Sequence, residues 1–425
     1  MELSVAASLL LIFAIGAVAQ WIGWRLKIPA ILLLLTAGFL AGPVFGVLDP
    51  DEVFVGDLLF TIVSGAVAII LFEGGLSLRF HELPGAGPVI MRLISVGVLV
   101  SWVVISLLAY FLLDFSPLLA ALLGALLTVT GPTVIGPMLR TIRPKGKVRN
   151  IAKWEGIIID PIGVLLAVLI YEVIIARGQE EATSVLIYGI IETLLVSVGI
   201  TAICAGLVLF MVKKRQLPDF LQNTIVLALL LVGFGASNYL REESGLLTAT
   251  LFGIVLANQS IFEVRHITEF KENLQILLIS FLFVVLAARV DPEAFRTLGW
   301  VSGVFLVGVI VLARPLAVLA STLFSKLKWD ERILLMLLAP RGIVAVALTS
   351  VFVIKLDKLG IPEAEEFLAL TLLVVIGTVL FYGVSAGIAA TKLGLSNLDP
   401  QGVIMVGAHD WGIRIGVALK EANVP

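Results

Sequence analysis

Two carboxylates inside an apolar stretch of helix length are the residues of this sequence best suited to chemistry. Glu155 and Asp160 lie within Lys153–Ile162, where most other residues are apolar. An ionised carboxylate at membrane depth costs at least about 2.5–3.5 kcal/mol, so such a group is retained where it is paired or used. On a helix, their separation of five residues turns the two side chains about 140° apart, so each needs its own partner.

Asp160 has no fixed cation near it in the sequence, and we predict that it holds a proton and an alkali cation in turn. Burial disfavours the charged form of a carboxylate, and either a proton or Na⁺ neutralises that charge, so the two would compete. Two other interpretations involve no transport. Asp160 would then bond a neighbouring hydroxyl, or it would mark a kink made with Pro161.

Glu155 is predicted to form a buried ion pair with Arg341. Arginine stays protonated and binds a carboxylate through two hydrogen bonds, which suits a buried pair. Arg341 could also offset the negative ends of helices that break near it. Direct cation binding by Glu155 is the alternative. Arg314 lies in another apolar run and also needs a partner, which the sequence does not identify.

Glu73 and Thr130 are further candidates for cation ligands. Glu73 lies near the end of an apolar run and is expected either to bind the cation or to pair with Arg79. Thr130 offers a hydroxyl, and a carbonyl if the helix is broken there, and hard alkali cations prefer such oxygens. Threonines in membrane helices more often bond the carbonyl four residues earlier, which is the alternative for Thr130.

Composition identifies the surroundings of these residues as a lipid bilayer. Of the 425 residues, 60% are hydrophobic and 14% are charged, whereas soluble domains carry about 25% charged residues. The apolar residues form blocks of about 20, the length of a helix that crosses the hydrocarbon core. The net charge of −2 gives no sign of nucleic-acid binding, and the single cysteine, Cys204, excludes an intrachain disulfide. No H-E-x-x-H motif occurs, and the one G-x-S-x-G match, Gly383–Gly387, lies inside a continuous apolar run instead of a strand-to-helix turn. Neither an enzyme nor a cofactor is therefore predicted.

The sequence therefore predicts an all-α polytopic membrane protein with about thirteen transmembrane helices. The predicted spans are 4–24, 28–48, 58–78, 94–113, 117–139, 151–175, 183–212, 220–240, 245–259, 274–290, 298–324, 331–354 and 364–391. Lys and Arg are concentrated in alternate loops, which are therefore placed in the cytoplasm. Those loops contain Arg25, Lys27, Arg79, Arg92, Arg140, Arg143, Lys145, Lys147, Arg149, Lys213, Lys214, Arg215, Lys326, Lys328 and Arg332. The N-terminus is then outside, the C-terminus is cytoplasmic, and the expected location is the cell (inner) membrane.

Two of these spans contain proline close to glycine at comparable depth. The fifth carries Gly131 and Pro132, and the twelfth carries Pro340 and Gly342. Proline removes a helical donor, and in a bilayer the freed backbone groups are tolerated only inside protein or a watery cavity. Broken helices in corresponding positions of two halves indicate a transporter site, here where the two cross at mid-membrane. We predict two six-helix inverted repeats, spans 1–6 and 8–13, and simple packing kinks are the alternative.

These stretches together resemble the NhaP/NHE-type sodium–proton antiporters of the cation:proton antiporter superfamily. The resemblance covers residues 1 to about 392, through Leu71–Leu76, Thr130–Pro132, Glu155–Asp160, Ser244–Asn258 and Pro340–Gly342. It implies a homodimer, a dimerisation domain, and a core domain that moves as an elevator. It also implies a cation and proton site at Glu73, Thr130 and Asp160, with Glu155 and Arg341 as a structural ion pair.

Three positions depart from the pattern of that family. Gly131 stands where an aspartate is usual, Ile159 where an asparagine is usual, and Gly156 where a serine is usual. The site therefore has fewer oxygen ligands than the family implies, which leaves the choice of cation open.

The end of the chain changes character. We divide the chain into a transmembrane antiporter domain, 1–392, and a linker with a Rossmann-like segment, 393–425. Gly402–Gly412 and the helix start after it resemble the opening of a degenerate nucleotide-binding regulatory domain. In such a domain the second glycine of the turn lets the backbone approach a pyrophosphate. That position is His409 here, so nucleotide binding is not expected, and a complete domain would require a longer chain.

The prediction for function is secondary active antiport of a monovalent cation and a proton. With one titrating aspartate we expect electroneutral exchange of one Na⁺ for one H⁺, by a homodimer in a lipid bilayer, with Li⁺ and K⁺ as further substrates. Na⁺ is the metal ion expected at Asp160, Glu73 and Thr130. The alternatives are a K⁺/H⁺ antiporter, a cation channel or sensor on the same scaffold, and a transporter of organic anions.

Overall fold

The computed structural model describes residues 5–26, 28, 30–54, 58–176, 179–261, 265–290, 298–361, 365–396, 407 and 409–421. These residues form helices joined by short loops, and no named β-strand occurs among them. In chain order the helices are α1 (Val5–Leu26), α2 (Ala30–Val44), α3 (Pro50–Val53), α4 (Leu58–Ser77), α5 (Gly87–Leu113), α6 (Pro117–Thr128), α7 (Pro132–Ile142), α8 (Lys147–Ala176), α9 (Gln179–Lys213), α10 (Asp219–Leu240), α11 (Ser244–Asn258), α12 (Arg265–Ala288), α13 (Trp300–Thr322), α14 (Trp329–Met336), α15 (Ile343–Asp357), α16 (Glu365–Lys392) and α17 (Asp410–Glu421).

Helix length and composition agree with a chain that crosses a bilayer many times. Eight continuous or nearly continuous segments are long and apolar enough to span the hydrocarbon: α1, α5, α6 with α7, α8, α9, α10, α13 and α16. Four shorter apolar segments lie in α2, α4, α11 and α12 and pack among them, namely Ala30–Val44, Thr61–Ser77, Ser244–Asn258 and Leu274–Ala288. The all-α polytopic fold is thereby confirmed, whereas thirteen spans and the inverted repeats stay predictions.

The helices pack into two bundles. The panel bundle contains α1, α2, α4, α10, α11 and α12. The core bundle contains α5, α6, α7, α8, α13, α14, α15 and α16. Helix α9 packs on α8 of the core bundle and on α10 and α11 of the panel bundle, so it joins the two. Both helices with predicted interruptions belong to the core bundle.

The core bundle buries four charged side chains among apolar residues and scattered hydroxyls. Glu155 and Asp160 of α8, Arg314 of α13, and Arg341 between α14 and α15 are each 3% exposed or less. Charges buried this deeply require partners or ligands, because an isolated charge is far more stable in water. The arrangement of these four residues therefore defines where function should be sought.

A wide π-helical turn positions one of these charges. Helix α13 changes from α to π geometry over Val309–Ala313, and Arg314 starts the α-helical segment that follows. Pro315 supplies the cause, since proline has no N–H to donate and its ring clashes with the carbonyl four residues earlier. A π turn contains one residue more than an α turn, and this additional residue changes the direction in which Arg314 points.

The C-terminal segment is described only in part. Residues 402–406 and 408 of the predicted Rossmann-like segment lie outside the described residues, and the helix start predicted at the end of Gly402–Gly412 is present as α17. Helix α16 ends at Lys392. The division of the chain after residue 392 stays a prediction.

Candidate functional site

The two interrupted helices of the core bundle meet at a pair of glycines. Residues 129–131 separate α6 from α7, and residues 337–342 separate α14 from α15, so the structure has an interruption at each predicted place. Pro132 is the first residue of α7, a position where its missing N–H breaks no helical bond. A Cβ atom built on Gly342 would lie 2.7 Å from Gly131 Cα. A residue larger than glycine at either position would therefore force the two backbones apart.

An arginine binds the last carbonyls of each half-helix that ends at this crossing. Arg341 donates through Nη1 to the carbonyl oxygen of Thr128, the last residue of α6, at 2.6 Å. Arg314 donates through Nη2 to the carbonyl oxygens of Leu335 at 2.9 Å and Leu338 at 3.3 Å, at the end of α14. Cations are favourable at these ends, where the helix dipole is negative. The starts of α7 and α15 receive no side-chain cap from any described residue, so their backbone N–H groups remain the positive ends at the crossing.

Glu155 pairs with Arg314, so the predicted pair of Glu155 with Arg341 is wrong. Arg314 donates from Nη1 to Oε1 and from Nη2 to Oε2 of Glu155, the second bond at 3.0 Å. The two side chains are 4% and 1% exposed. The physical reason is the π turn in α13, which aims Arg314 at α8. The end of α6 holds Arg341 instead, and the Thr378 hydroxyl accepts from its backbone N–H at 3.1 Å.

Asp160 lies in the middle of α8, fully buried, beside the crossing. Pro161 follows it, and α8 continues through both residues without interruption. Neither Oδ atom has a hydrogen-bond partner among the described residues, which disagrees with the interpretation that a hydroxyl holds Asp160. The Oδ2 atom lies 3.7 Å from the place that a Cβ atom would take on Gly131. The carboxylate therefore borders the start of α7 with both oxygens available to a ligand.

Two threonine hydroxyls in the same interruption are also unbonded. Thr130 is 1% exposed and Thr133 is 0% exposed, and no described residue bonds either Oγ1 atom. Thr130 is a predicted ligand, whereas the sequence reasoning missed Thr133. The signal that points to Thr133 is its place two residues after Gly131. A threonine just after a helix break has no helical carbonyl four residues earlier to bond.

Glu73 lies on α4 of the panel bundle, beside a cavity of about 250 Å³. With the Gln275 amide oriented so that its nitrogen faces Glu73, this nitrogen donates to Glu73 Oε1 at 3.0 Å and to Oε2 at 3.3 Å. Ile157 of α8 lines the same cavity. Because Ile157 lies one helical turn before Asp160, the cavity that contains Glu73 reaches to within a turn of the buried carboxylate.

The spaces between the two bundles differ in size at their two ends. The cavity of about 250 Å³ is also lined by Arg140, Arg149 and Lys153, which cluster with the loops predicted to be cytoplasmic. A second pocket, lined by Glu243 and by residues of α4, α11 and α15, measures about 20 Å³. Of these two spaces, the larger lies at the end with the basic residues.

The polar atoms at the crossing suit one monovalent cation. The Asp160 carboxylate and the two hydroxyls left unbonded here are oxygen groups of the kind that hard cations prefer. No group of three or more His, Cys, Asp or Glu that could hold a metal ion occurs in the described part of the chain. A single ionised carboxylate is neutralised by one alkali cation or by one proton. The positive starts of α7 and α15 stabilise the ionised carboxylate when neither is bound.

Comparison with known proteins places this geometry in context. The family model described as "Sodium/hydrogen exchanger, transmembrane" matches residues 3–392. A K(+)/H(+) antiporter NhaP2 of Shewanella sp. (strain ANA-3) is 26% identical over 436 residues, covering 98% of this chain and 74% of the relative. A probable Na(+)/H(+) antiporter 2 of Methanocaldococcus jannaschii is 24% identical over 366 residues, covering 82% of this chain and 84% of the relative.

A solved structure has the same fold. The sodium proton antiporter MjNhaP1 from Methanocaldococcus jannaschii, determined at pH 8, matches with a TM-score of 0.78 and 22% sequence identity. The match covers 92% of this chain and 98% of that one. With a sequence identity of 22%, this match shows that the two chains share a fold.

Proposed function

Since the chain belongs to the sodium/hydrogen exchanger family, it is a monovalent cation/proton antiporter and not an enzyme, and we propose that it exchanges Na⁺ for H⁺ at Asp160. The family is the one that the motifs between Leu71 and Gly342 indicated. The identity of the cation, the binding residues and the motion are the parts proposed here.

One observation supports the proposal most directly, namely the fully buried Asp160 with neither oxygen bonded by a described residue. A carboxylate in this position accepts one positive partner at a time, so a bound Na⁺ expels the proton and a proton expels Na⁺. The exchange is then one for one and electroneutral. Thr130 contributes its hydroxyl to the cation, and Glu73 provides a negative charge in the cavity through which the cation approaches.

The choice of Na⁺ rests on the size of the crossing. The relatives named above include both K(+)/H(+) and Na(+)/H(+) antiporters, so similarity alone favours neither cation. The close approach of Gly131 and Gly342 brings the two backbones together beside Asp160, and we infer that so compact a crossing favours the smaller Na⁺ over K⁺. A K⁺/H⁺ antiporter is the alternative within the same mechanism.

The arrangement of the two bundles supports a proposal of alternating access. The core bundle, which holds Asp160, slides past the panel bundle as an elevator, and two panel bundles form a homodimer in the cell membrane. The difference between the cavity of about 250 Å³ and the pocket of about 20 Å³ supports such a motion, because one end is open while the other is nearly closed. With the basic loops in the cytoplasm, the open end faces inward.

The variant Asp160→Asn tests the central proposal. It keeps the shape of the side chain and removes the charge that a cation or a proton must neutralise, so Na⁺-dependent pH change in proteoliposomes should disappear. Asp357→Asn, an exposed aspartate at the end of α15, serves as the control and should exchange at the wild-type rate. Both variants should remain folded and keep the wild-type oligomeric state. Wild-type exchange by Asp160→Asn would refute the role of Asp160.

An ion panel separates the antiporter from its alternatives. A Na⁺ gradient should drive H⁺ uphill in wild-type proteoliposomes, and a channel or sensor would pass cations without moving protons. Exchange rates with Na⁺, Li⁺ and K⁺ across a range of pH then identify the cargo. If exchange is faster with K⁺ than with Na⁺, the transported cation is K⁺ and not Na⁺, and the proposed competition at Asp160 is unaffected.

A further inference from the structure

Thr133 is a buried polar residue that the exchange described above does not use. It is the second residue of α7, it is 0% exposed, and its Oγ1 atom has no hydrogen-bond partner among the described residues. Building on the proposed antiport, we propose that Thr133 is a direct ligand of the transported alkali cation and contributes a neutral oxygen beside Asp160 and Thr130.

The free hydroxyl of Thr133 differs from those of three buried threonines that lie within helices. Thr128, Thr250 and Thr349 each donate to the carbonyl oxygen four residues earlier, at 2.7–2.9 Å. Thr133 has no such acceptor, because Val129 and Gly131 have extended backbones with ψ of 127° and 143°. The break that interrupts the helix therefore also leaves this hydroxyl without a bond inside its own helix.

Gly131 shows that the free hydroxyl and the free carboxylate border the same place. A Cβ atom built on Gly131 would lie 3.2 Å from Thr133 Oγ1 and 3.7 Å from Asp160 Oδ2. A Cβ atom built on Gly342 would lie 3.5 Å from the same hydroxyl. Since both residues are glycines, no side chain separates the two oxygens, and both border the crossing of the half-helices.

The chemistry of the two cargos gives Thr133 a role in cation binding alone. A proton forms a covalent bond with Asp160 and needs no further ligand, whereas an alkali cation that leaves water needs several oxygens around it. A neutral hydroxyl adds one such oxygen without adding charge, so the one-for-one exchange is preserved. A buried hydroxyl without a partner is unfavourable in the cation-free protein, and cation binding removes that penalty.

Three variants of the full chain in proteoliposomes test this assignment. Thr133→Val has nearly the same shape without the hydroxyl and should raise the KM for Na⁺ by about tenfold, the equivalent of one lost favourable contact. Its melting temperature should stay the same or rise, because no internal hydrogen bond is lost. Thr133→Ser retains the oxygen and should keep the KM within about twofold of wild type, a change small beside one hydrogen bond. Thr250→Val, which loses a bonded hydroxyl on α11, should lower the melting temperature and leave the KM unchanged.

The two measurements distinguish a ligand from a structural residue. A raised KM with an undiminished melting temperature for Thr133→Val, rescued by Thr133→Ser, supports the assignment. A lowered melting temperature with an unchanged KM would overturn it. A wild-type protein that exchanges no Na⁺, Li⁺ or K⁺ would refute the proposed function itself. A working wild-type exchanger in which Thr133→Val changes neither measurement would refute only the assignment of Thr133.

Discussion

Arg314 and Arg341 have different partners although both are buried and both bind the end of a half-helix. Arg314 also holds Glu155 through two hydrogen bonds, and this pair accounts for two of the four buried charges described in the core bundle. Arg341 binds the Thr128 carbonyl oxygen, and the described residues give it no carboxylate partner. The pair of Glu155 with Arg314 is therefore the ionic contact whose loss leaves a charge stranded in an apolar interior.

Removal of one partner of this pair should destabilise the protein more than removal of both. Arg314→Met leaves Glu155 buried and unpaired, which typically costs about 3–5 kcal/mol of folding free energy. The double variant with Glu155→Leu replaces both charges by apolar groups and should recover much of that loss. Melting temperatures in detergent measure both effects.

Arg341→Met should lower the free energy of unfolding by less, about 1.5–3 kcal/mol for a hydrogen bond to a charged group. A larger loss of stability for Arg341→Met than for Arg314→Met would contradict the pairing of Glu155 with Arg314.

At the residue scale, the types of the residues were enough to predict which side chains need partners. They were not enough to predict which partner each one has, because that depends on the direction of the side chains. Glu155 requires an arginine because a lone buried carboxylate is costly, and that requirement is met in the structure. Two arginines were available, and spacing along the chain contains no information on which one faces α8. Thr133 was missed because its free hydroxyl results from the extended backbone of the preceding residues.

At the scale of helices, the crossing depends on two glycines in contact. A Cβ atom on Gly342 would meet Gly131 Cα at 2.7 Å and Gly131 N at 2.9 Å, and neither backbone atom can move without moving a half-helix. Proline and glycine in the sequence were sufficient to predict both interruptions, since each removes or weakens helical bonding. The close contact of the two breaks could not be derived, because it depends on how α6, α7, α14 and α15 pack.

Gly342→Ala should separate the half-helices and impair exchange. We expect the exchange rate to fall at least tenfold, because a displacement of about 1 Å at a site can cost a hundredfold in rate. The melting temperature should also fall. Gly303→Ala in α13 is the matched control, since a Cβ atom there meets nothing within 4 Å. Near-wild-type exchange by Gly342→Ala would show that the crossing tolerates a wider separation than its geometry indicates.

At the scale of the whole molecule, ion pairs join the two bundles at the narrow end. Glu242, between α10 and α11 of the panel bundle, accepts from Lys355 of α15 at 2.5 Å. Its neighbour Arg241 lies 2.6 Å from Glu172 of α8. Both contacts join the panel bundle to the core bundle, whereas the larger cavity lies at the other end. The apolar blocks of the sequence predicted the membrane helices, but the division into bundles follows from contacts between residues far apart in the chain.

If the bundles slide during transport, these contacts must separate when the narrow end opens. Glu242 is 63% exposed, so the pair should be worth no more than about 1 kcal/mol, too little to change the melting temperature strongly. Lys355→Ala should instead favour the state open at that end and lower the KM for Na⁺ on that side by up to about fivefold. KM values measured from each side of oriented proteoliposomes would reveal the shift. The exchanged pair, Lys355→Glu with Glu242→Lys, should restore the wild-type values, and failure to do so would exclude a role for this contact.

The balance of charges in the core bundle has a consequence for energy supply. Glu155 and Arg314 cancel each other, and in the proposed exchange Asp160 is neutralised by either cargo, so the loaded core has the same charge in both directions. Membrane voltage would then neither drive nor oppose a complete cycle. The concentration ratio of the cation across the membrane could rise only to that of protons, so the pH difference across the membrane would set the limit of cation transport.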